Sequence, residues 1–140
     1  MGAAAIIFDD DGRVLLVKHS YGPCNWELPG GGSEDNESMS GTAVRETWEE
    51  TGLVVMVDRL IGIYYAEAVD AHGFTYLCRV VDGSRVPVPS SPEITECAYW
   101  PVDDLPKPMS DWTELRVRHG VEGVTRPTID AIDPPKWRYE

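Results

Sequence analysis

Positive charge is scarce in this 140-residue sequence: 12 Lys and Arg stand against 24 Asp and Glu, a formal net charge of −12. That balance argues against nucleic-acid backbones and anionic membranes as partners, because both repel an acidic surface. It also repels polyphosphates at long range, so a phosphate site needs local basic groups or a bound metal. Cysteine is scarce as well. Cys24, Cys78 and Cys97 are odd in number and far apart, with no C-x-x-C pair. This favours reduced thiols over a disulfide framework or a zinc site. No apolar run approaches the length of a membrane span. The stretch Ala3–Phe8 is too short for a signal peptide and has no basic residue ahead of it. Met1-Gly2 is followed by Ile6 where a myristoylation site has Ser or Thr. The expectation is a soluble, cytoplasmic protein.

An apolar share of 42% with 26% charged residues is ordinary for a globular chain of one domain with a real core. The most informative stretch is Gly30–Leu53, GGGSEDNESMSGTAVRETWEETGL. From Asn36 to Thr51 it has no proline and one interior glycine, Gly41, and Gly52 is a natural left-handed stop. At 3.6 residues per turn Glu46, Glu49 and Glu50 share one helix face, while Val44, Thr47, Trp48 and Thr51 lie opposite and suit burial. Three like charges within a turn repel by roughly 0.2–0.5 kcal/mol per exposed pair. Glu49 and Glu50 also sit at the helix end that prefers cations. A hard divalent cation such as Mg2+ or Mn2+ would relieve this crowding. A solvated acidic face is the alternative.

Gly31, five residues, Glu37, seven residues, then Arg45-Glu46-x-x-Glu49-Glu50-x-Gly52-Leu53 resembles the Nudix box at every fixed position, with Thr47 where an aliphatic residue is usual. The preceding Trp26-Glu27-Leu28-Pro29-Gly30-Gly31 resembles the lead-in of that family. So many constraints at fixed spacing make a strong signal. The resemblance implies an α/β/α sandwich with a mixed β-sheet between two helices. It implies Mg2+ or Mn2+ on Glu49 and Glu50, with Glu46 as ligand or general base, and a backbone carbonyl at Gly30 or Gly31 as a further ligand. Arg45 would orient the glutamates, and Glu37 would pair with Arg45 and hold the loop on the helix. Some members recruit a later carboxylate as ligand or base; Glu93 is the first choice and Glu96 the second.

Elsewhere the chain reads more loosely. Ala3–Phe8 and Val14–His19 read as strands joined by a hairpin turn at Asp9-Asp10-Asp11-Gly12; the turn lacks the further ligands of a calcium loop. Lys18 and His19 end the second strand, either solvated or against a substrate phosphate. Val54–Glu67 and Phe74–Val81 read as strands around a turn that leaves His72 exposed. Tyr64, Tyr65, Phe74 and Tyr76 offer either core packing or a stacking surface for a base, with Tyr64 taken as substrate-binding along with Gly30 and Gly31. Asp82–Pro92 reads as an exposed loop. Ser110–His119 suits a helix capped by Ser110, with Glu114 near the capping-box position and Trp112 and Leu115 toward the sheet. Arg116 and Arg118 read as surface residues that give this half some positive charge, with phosphate binding as the lesser alternative. Residues 1–125 form the expected domain. Residues 126–140 are a tail that packs on it or on a partner subunit, a homodimer being one such arrangement.

The resemblance further implies hydrolysis of the diphosphate linkage in a nucleoside diphosphate joined to another moiety, with metal and a carboxylate activating water. ADP-ribose subfamilies often carry a proline near position 68, which is Ala here. Dinucleoside polyphosphate enzymes often carry a tyrosine slightly further on, where Val69, Asp70 and Ala71 stand. The downstream signature of NADH-type members is absent too. A nucleoside triphosphate is the favoured substrate, with an ADP-sugar or dinucleotide pyrophosphatase behind it. Two other readings are a non-catalytic nucleotide-sensing module and a decapping-like or isomerase role. The complete glutamate set weighs against the first, and the acidity against RNA.

Overall fold

The apolar run at the N-terminus becomes the strand on which both helices pack, in a computed structural model that describes residues 1–126, 129–132 and 136–140. In chain order the elements are β1 (Gly2–Ile7), β2 (Val14–His19), β3 (Trp26–Glu27), β4 (Gly30–Gly32) and helix α1 (Met39–Thr51). There follow β5 (Val55–Ala66), β6 (Ala71–Val80), β7 (Ile94–Trp100), β8 (Met109–Ser110), helix α2 (Asp111–Glu122), β9 (Ile129–Ile132) and β10 (Trp137–Arg138). The main sheet has the order β4-β1-β6-β5-β9 and is mixed: β1 runs parallel to β6, and β5 runs antiparallel to β6. A second, antiparallel sheet has the order β3-β2-β7. None of the helices among the described residues is long and apolar enough to cross a membrane.

Successive side chains of a strand point to opposite faces, and β1 uses both. Ala4 and Ile6 join Leu16, Leu28, Ile61, Met109 and Val117 in the core under α2. Ala5 and Ile7 join Leu15, Leu53, Val55 and Cys78, with Val44 of α1 packed against them. Ile6, Ile7, Leu15 and Leu16 are fully buried, each worth about 1.5–3 kcal/mol relative to exposure. These two cores make the α/β sandwich.

Several expectations change. Asp9–Gly12 does turn the chain, but among the described residues the one strand-like bridge across it joins Phe8 and Val14. β1 and β2 then part into different sheets, because β1 finds its partners in β4 and β6. Helix α1 starts at Met39 with Ser38 as its cap, accepting from the Gly41 amide, so Glu37 lies just ahead of the helix. Trp48 is 58% exposed, whereas Glu50 is buried with Thr47 and Thr51. The helix is rotated so that its small side chains meet the sheet. Thr47 suits that face because its hydroxyl donates to the Ala43 carbonyl at 2.7 Å. On α2 the buried residues are Thr113, Val117, His119 and Gly120, in place of Trp112 and Leu115. Glu114 pairs with Lys107 and Arg138. The last segments form strands: β9 pairs with β5 and β10 with β8. Positions 127–128 and 133–135 of the expected tail lie outside the described residues.

Candidate active site

The glycines of β4 bring the chain hard against both β1 and α1. A side chain at Gly30 would collide with the backbone of Ala3 and Ala4, and one at Gly31 would meet the Glu46 carboxylate at 2.6 Å. At Gly30 only glycine permits that approach, whereas a side chain at Gly31 would push the Glu46 carboxylate aside. The approach leaves the Gly30 amide donating to Glu50 Oε1 at 2.9 Å.

Arg45 gathers the acidic groups. Its Nε donates to Glu37 Oε2 at 2.7 Å, and its Nη2 donates to Glu37 Oε1 at 3.0 Å and to the Gly32 carbonyl at 2.9 Å. Its Nη1 donates to Glu46 at 3.0 Å and to Glu49 at 3.2 Å. Glu37 also accepts the Thr42 hydroxyl at 2.6 Å and the Glu34 amide at 3.1 Å. The guanidinium and the Thr42 hydroxyl hold the Glu37 carboxyl well below its ordinary range, at about 2. Glu37 and Arg45 thus tie the glycine strand and the segment before α1 to the helix.

Glu46 and Glu50 are pushed the other way. Burial raises Glu46, against the opposing hydrogen bond from Arg45. Burial pushes Glu50 up to about 8, with the Gly30 amide opposing and the charges of Glu46, Glu93 and Glu27 adding to the rise. Glu50 is 5% exposed, and among the described residues only its Oε1 accepts a hydrogen bond. Glu49 is more exposed and is held by Arg45. Glu93, an exposed residue, acts on Glu46 and Glu50 through its field. Glu96 instead faces Lys18, at 3.4 Å.

Among the described residues, no three His, Cys, Asp or Glu side chains are closed into a metal cluster. The donor chemistry nevertheless fits a hard divalent ion. The groups are all oxygens, one carboxylate is buried with a free oxygen, and its raised pKa marks a place where negative charge wants a cation.

Beside the glycines opens a cavity of about 380 Å³. It collects His19, Gly30, Gly31 and Tyr64 of the expected substrate residues. Lys18 is not among its walls; it pairs with Glu96 and lies over the Trp26 ring at 6.0 Å. His19 stacks on Tyr21 at 4.7 Å. Tyr64 is buried and its hydroxyl lies 2.8 Å from His119 Nδ1. Phe74 and His72 also line the space, whereas Tyr65 bonds Asp70 and Tyr76 packs in the core near α1. Sequence reading missed Tyr21, Glu27, Trp112 and Arg116 as cavity residues. Trp112 and Arg116 stand one turn apart on α2, a spacing that could have marked a shared face. Tyr21 carries no such signal.

A mixed sheet between two helices, with a glycine strand lying on a glutamate-rich helix beside an apolar cavity, defines a hydrolase class built on box carboxylates. The NUDIX domain model matches residues 1–119, and the chain belongs to the Nudix hydrolase family. Over 88% of its length it is 28% identical to a MutT-like protein of Streptomyces ambofaciens, covering 77% of that protein. Over 57% of its length it is 37% identical to the human (Homo sapiens) diphosphoinositol polyphosphate phosphohydrolase 2, matching 46% of that protein. The match thus spans about half the length of that relative. An ADP-ribose pyrophosphatase from Streptococcus suis shares the fold with a TM-score of 0.74 at 24% identity, over 92% of this chain and 97% of that one. Nudix hydrolases generally use divalent metal ions.

Proposed function

We propose that this chain is a Mg2+- or Mn2+-dependent hydrolase of nucleotides, cleaving a phosphoric anhydride in a nucleoside diphosphate linked to another moiety, a nucleoside triphosphate foremost. The observation that carries this reading is the buried Glu50 carboxylate, held by the Gly30 amide at 2.9 Å where the cavity meets the glycine strand.

Glu46, Glu49 and Glu50 would hold the ion, with the Gly31 carbonyl and Glu93 as further oxygen donors. When bound, the ion offsets charge on phosphate oxygens and favours ionised water. The protein's own groups do the rest. Arg45 fixes the spacing of Glu46 and Glu49 through hydrogen bonds from one nitrogen. Glu46, raised by burial against the hydrogen bond from Arg45, is the group to accept the water's proton where it does not itself hold the ion. Glycines at positions 30 and 31 let a diphosphate lie close to the backbone. The apolar cavity beyond them takes the nucleoside, with Tyr64 and Phe74 as aromatic walls. Val69 and Ala71 line the same cavity, near where ADP-ribose and dinucleotide members often carry proline or tyrosine; this supports the triphosphate.

A panel of nucleoside triphosphates, ADP-ribose and dinucleoside polyphosphates, incubated with Mg2+ or Mn2+ and resolved by chromatography, tests the proposal. Release of pyrophosphate and a monophosphate from triphosphates is expected. Turnover of none of them would overturn it.

A further inference from the structure

The loop between β2 and β3 is short, closed on itself and clipped to the segment that carries Glu93. At its base the His19 amide donates to the Asn25 carbonyl at 2.9 Å, and at its tip the Cys24 amide donates to the Tyr21 carbonyl at 3.0 Å. Ser20 makes the clip. Its amide donates to the Glu93 carbonyl at 2.8 Å and its hydroxyl to the Pro92 carbonyl at 3.0 Å. The β2–β7 pairing shifts register between Lys18 and His19, an irregularity of the kind that re-aims side chains at the end of a strand. His19 and Tyr21 then stack, with ring centres 4.7 Å apart and planes 11° from parallel. Tyr21 is a held ring even though the residue is 55% exposed.

Both rings are walls of the cavity, together with Gly30 and Gly31. Burial raises the Tyr21 phenol above its ordinary range, and the charges of Glu93, Glu50, Glu27 and Glu46 add to the rise. The phenol thus stands in the field of the carboxylates around the glycine strand, and it remains a protonated donor at neutral pH. Among the described residues its hydroxyl has no hydrogen-bond partner. The basic side chains of this region are already engaged. Arg45 binds Glu37, Glu46 and Glu49, and Lys18 pairs with Glu96. Arg116, the one Lys or Arg among the described walls, is joined to Glu27 at 2.6 Å. A phenol brings no carboxylate with it, so its proton is free for an anionic oxygen.

We propose that Tyr21 is a substrate-binding residue whose hydroxyl donates to a non-bridging oxygen of the phosphate chain, where that chain passes from the box glutamates into the cavity. The inference rests on the nucleotide reading above for the place of the phosphates. His19, stacked on the ring, and Ser20, clipped to the Glu93 segment, hold it there. Hydrogen bonds to charged oxygens are the stronger ones, so losing this donor is expected to lower kcat/KM about tenfold.

Two variants test this. Tyr21→Phe removes the hydroxyl and keeps the ring, whereas Tyr21→Ala removes both. With a nucleoside triphosphate and Mg2+, each is expected to fall to about a tenth of the wild-type kcat/KM. Calorimetry with Mg2+ and methylenediphosphonate, a diphosphate analogue without a base, reads the phosphate contact alone, and Tyr21→Phe is expected to weaken its binding by a similar factor. Wild-type behaviour of Tyr21→Phe in both measurements overturns the inference; a loss confined to Tyr21→Ala would mean that the ring stacks on a base. Loss of turnover in Tyr21→Phe with unchanged diphosphonate binding overturns it as well, since the hydroxyl would then serve the ribose or the base. If the wild type hydrolyses no nucleotide, the functional reading fails. The diphosphonate comparison then decides the inference separately: weaker binding by Tyr21→Phe supports it, and equal or absent binding overturns it.

Discussion

Helix α1 and helix α2 each begin on a serine, Ser38 and Ser110, whose hydroxyl accepts the amide three residues on. Each ends on a glycine with positive φ, Gly52 at 74° and Gly123 at 70°. Their local grammar is the same, and both bury threonines against the sheet. They differ in what accompanies those threonines. α1 buries a carboxylate, Glu50, and surrounds Arg45 with acidic partners. α2 places Gly120 on Ile6 and turns His119 and Arg116 toward the cavity region. Caps decide where a helix stops. The groups forced into contact with the sheet decide what it can do, and α1 gives up electrostatic comfort to hold charge at a buried position.

The largest expected effect tests that cost directly. Glu50→Gln should lower metal-dependent nucleotide hydrolysis by about a hundredfold or more, with its circular dichroism unchanged. Full activity in this variant would end the claim that α1 carries the chemistry. On α2 the corresponding change is one of packing. A methyl group at Gly120 would meet Ile6 Cδ1 at 2.6 Å and Cγ2 at 2.9 Å, so Gly120→Ala should cost about 1–3 kcal/mol in a urea melt. A neutral result would show that α2 can lift from β1 freely.

A smaller effect concerns pH. Glu37 titrates at about 2 in the folded protein against an ordinary 4.5, so its ionised form favours the folded state. That contribution is present in full above pH 4.5 and is lost as pH falls through about 2. The stability gap between the wild type and Glu37→Gln should therefore close over this window in acid denaturation. A gap that persists below pH 2 would mean that Glu37 acts by shape instead of charge. The smallest effect belongs to Trp48, which is exposed on α1. Trp48→Gln should change stability by no more than about 0.5 kcal/mol. A larger loss would reveal that this face of α1 is covered in solution.

Much of the fold was readable because its signals are local. The apolar run of β2, the cap at Ser110, the stop at Gly52 and the loop after Val81 each depend on a few neighbouring residues. The rotation of α1 was not readable. Trp48 is the largest apolar residue on that helix, and hydrophobicity alone places it inside. The close packing of α1 on β1 and β4 buries Thr42, Ala43, Thr47, Glu50 and Thr51, and the Trp48 ring goes to solvent. The parting of β1 and β2 escaped for a related reason: the turn between them is short and looks like a hairpin, while the competing partners of β1 lie far along the chain.

The sequence by itself determined the acidic helix, its stop, the glycines before it and the membership that their spacing implies, since fixed spacing on a helix is already geometry. Tertiary structure alone decided that Glu50 is buried on the Gly30 amide, that Lys18 turns to Glu96, and that Glu27 meets Arg116 across 89 positions. The reason is physical. A periodic pattern records which residues share a face, but which faces meet depends on the packing of the whole chain, and a contact between distant residues leaves no period behind.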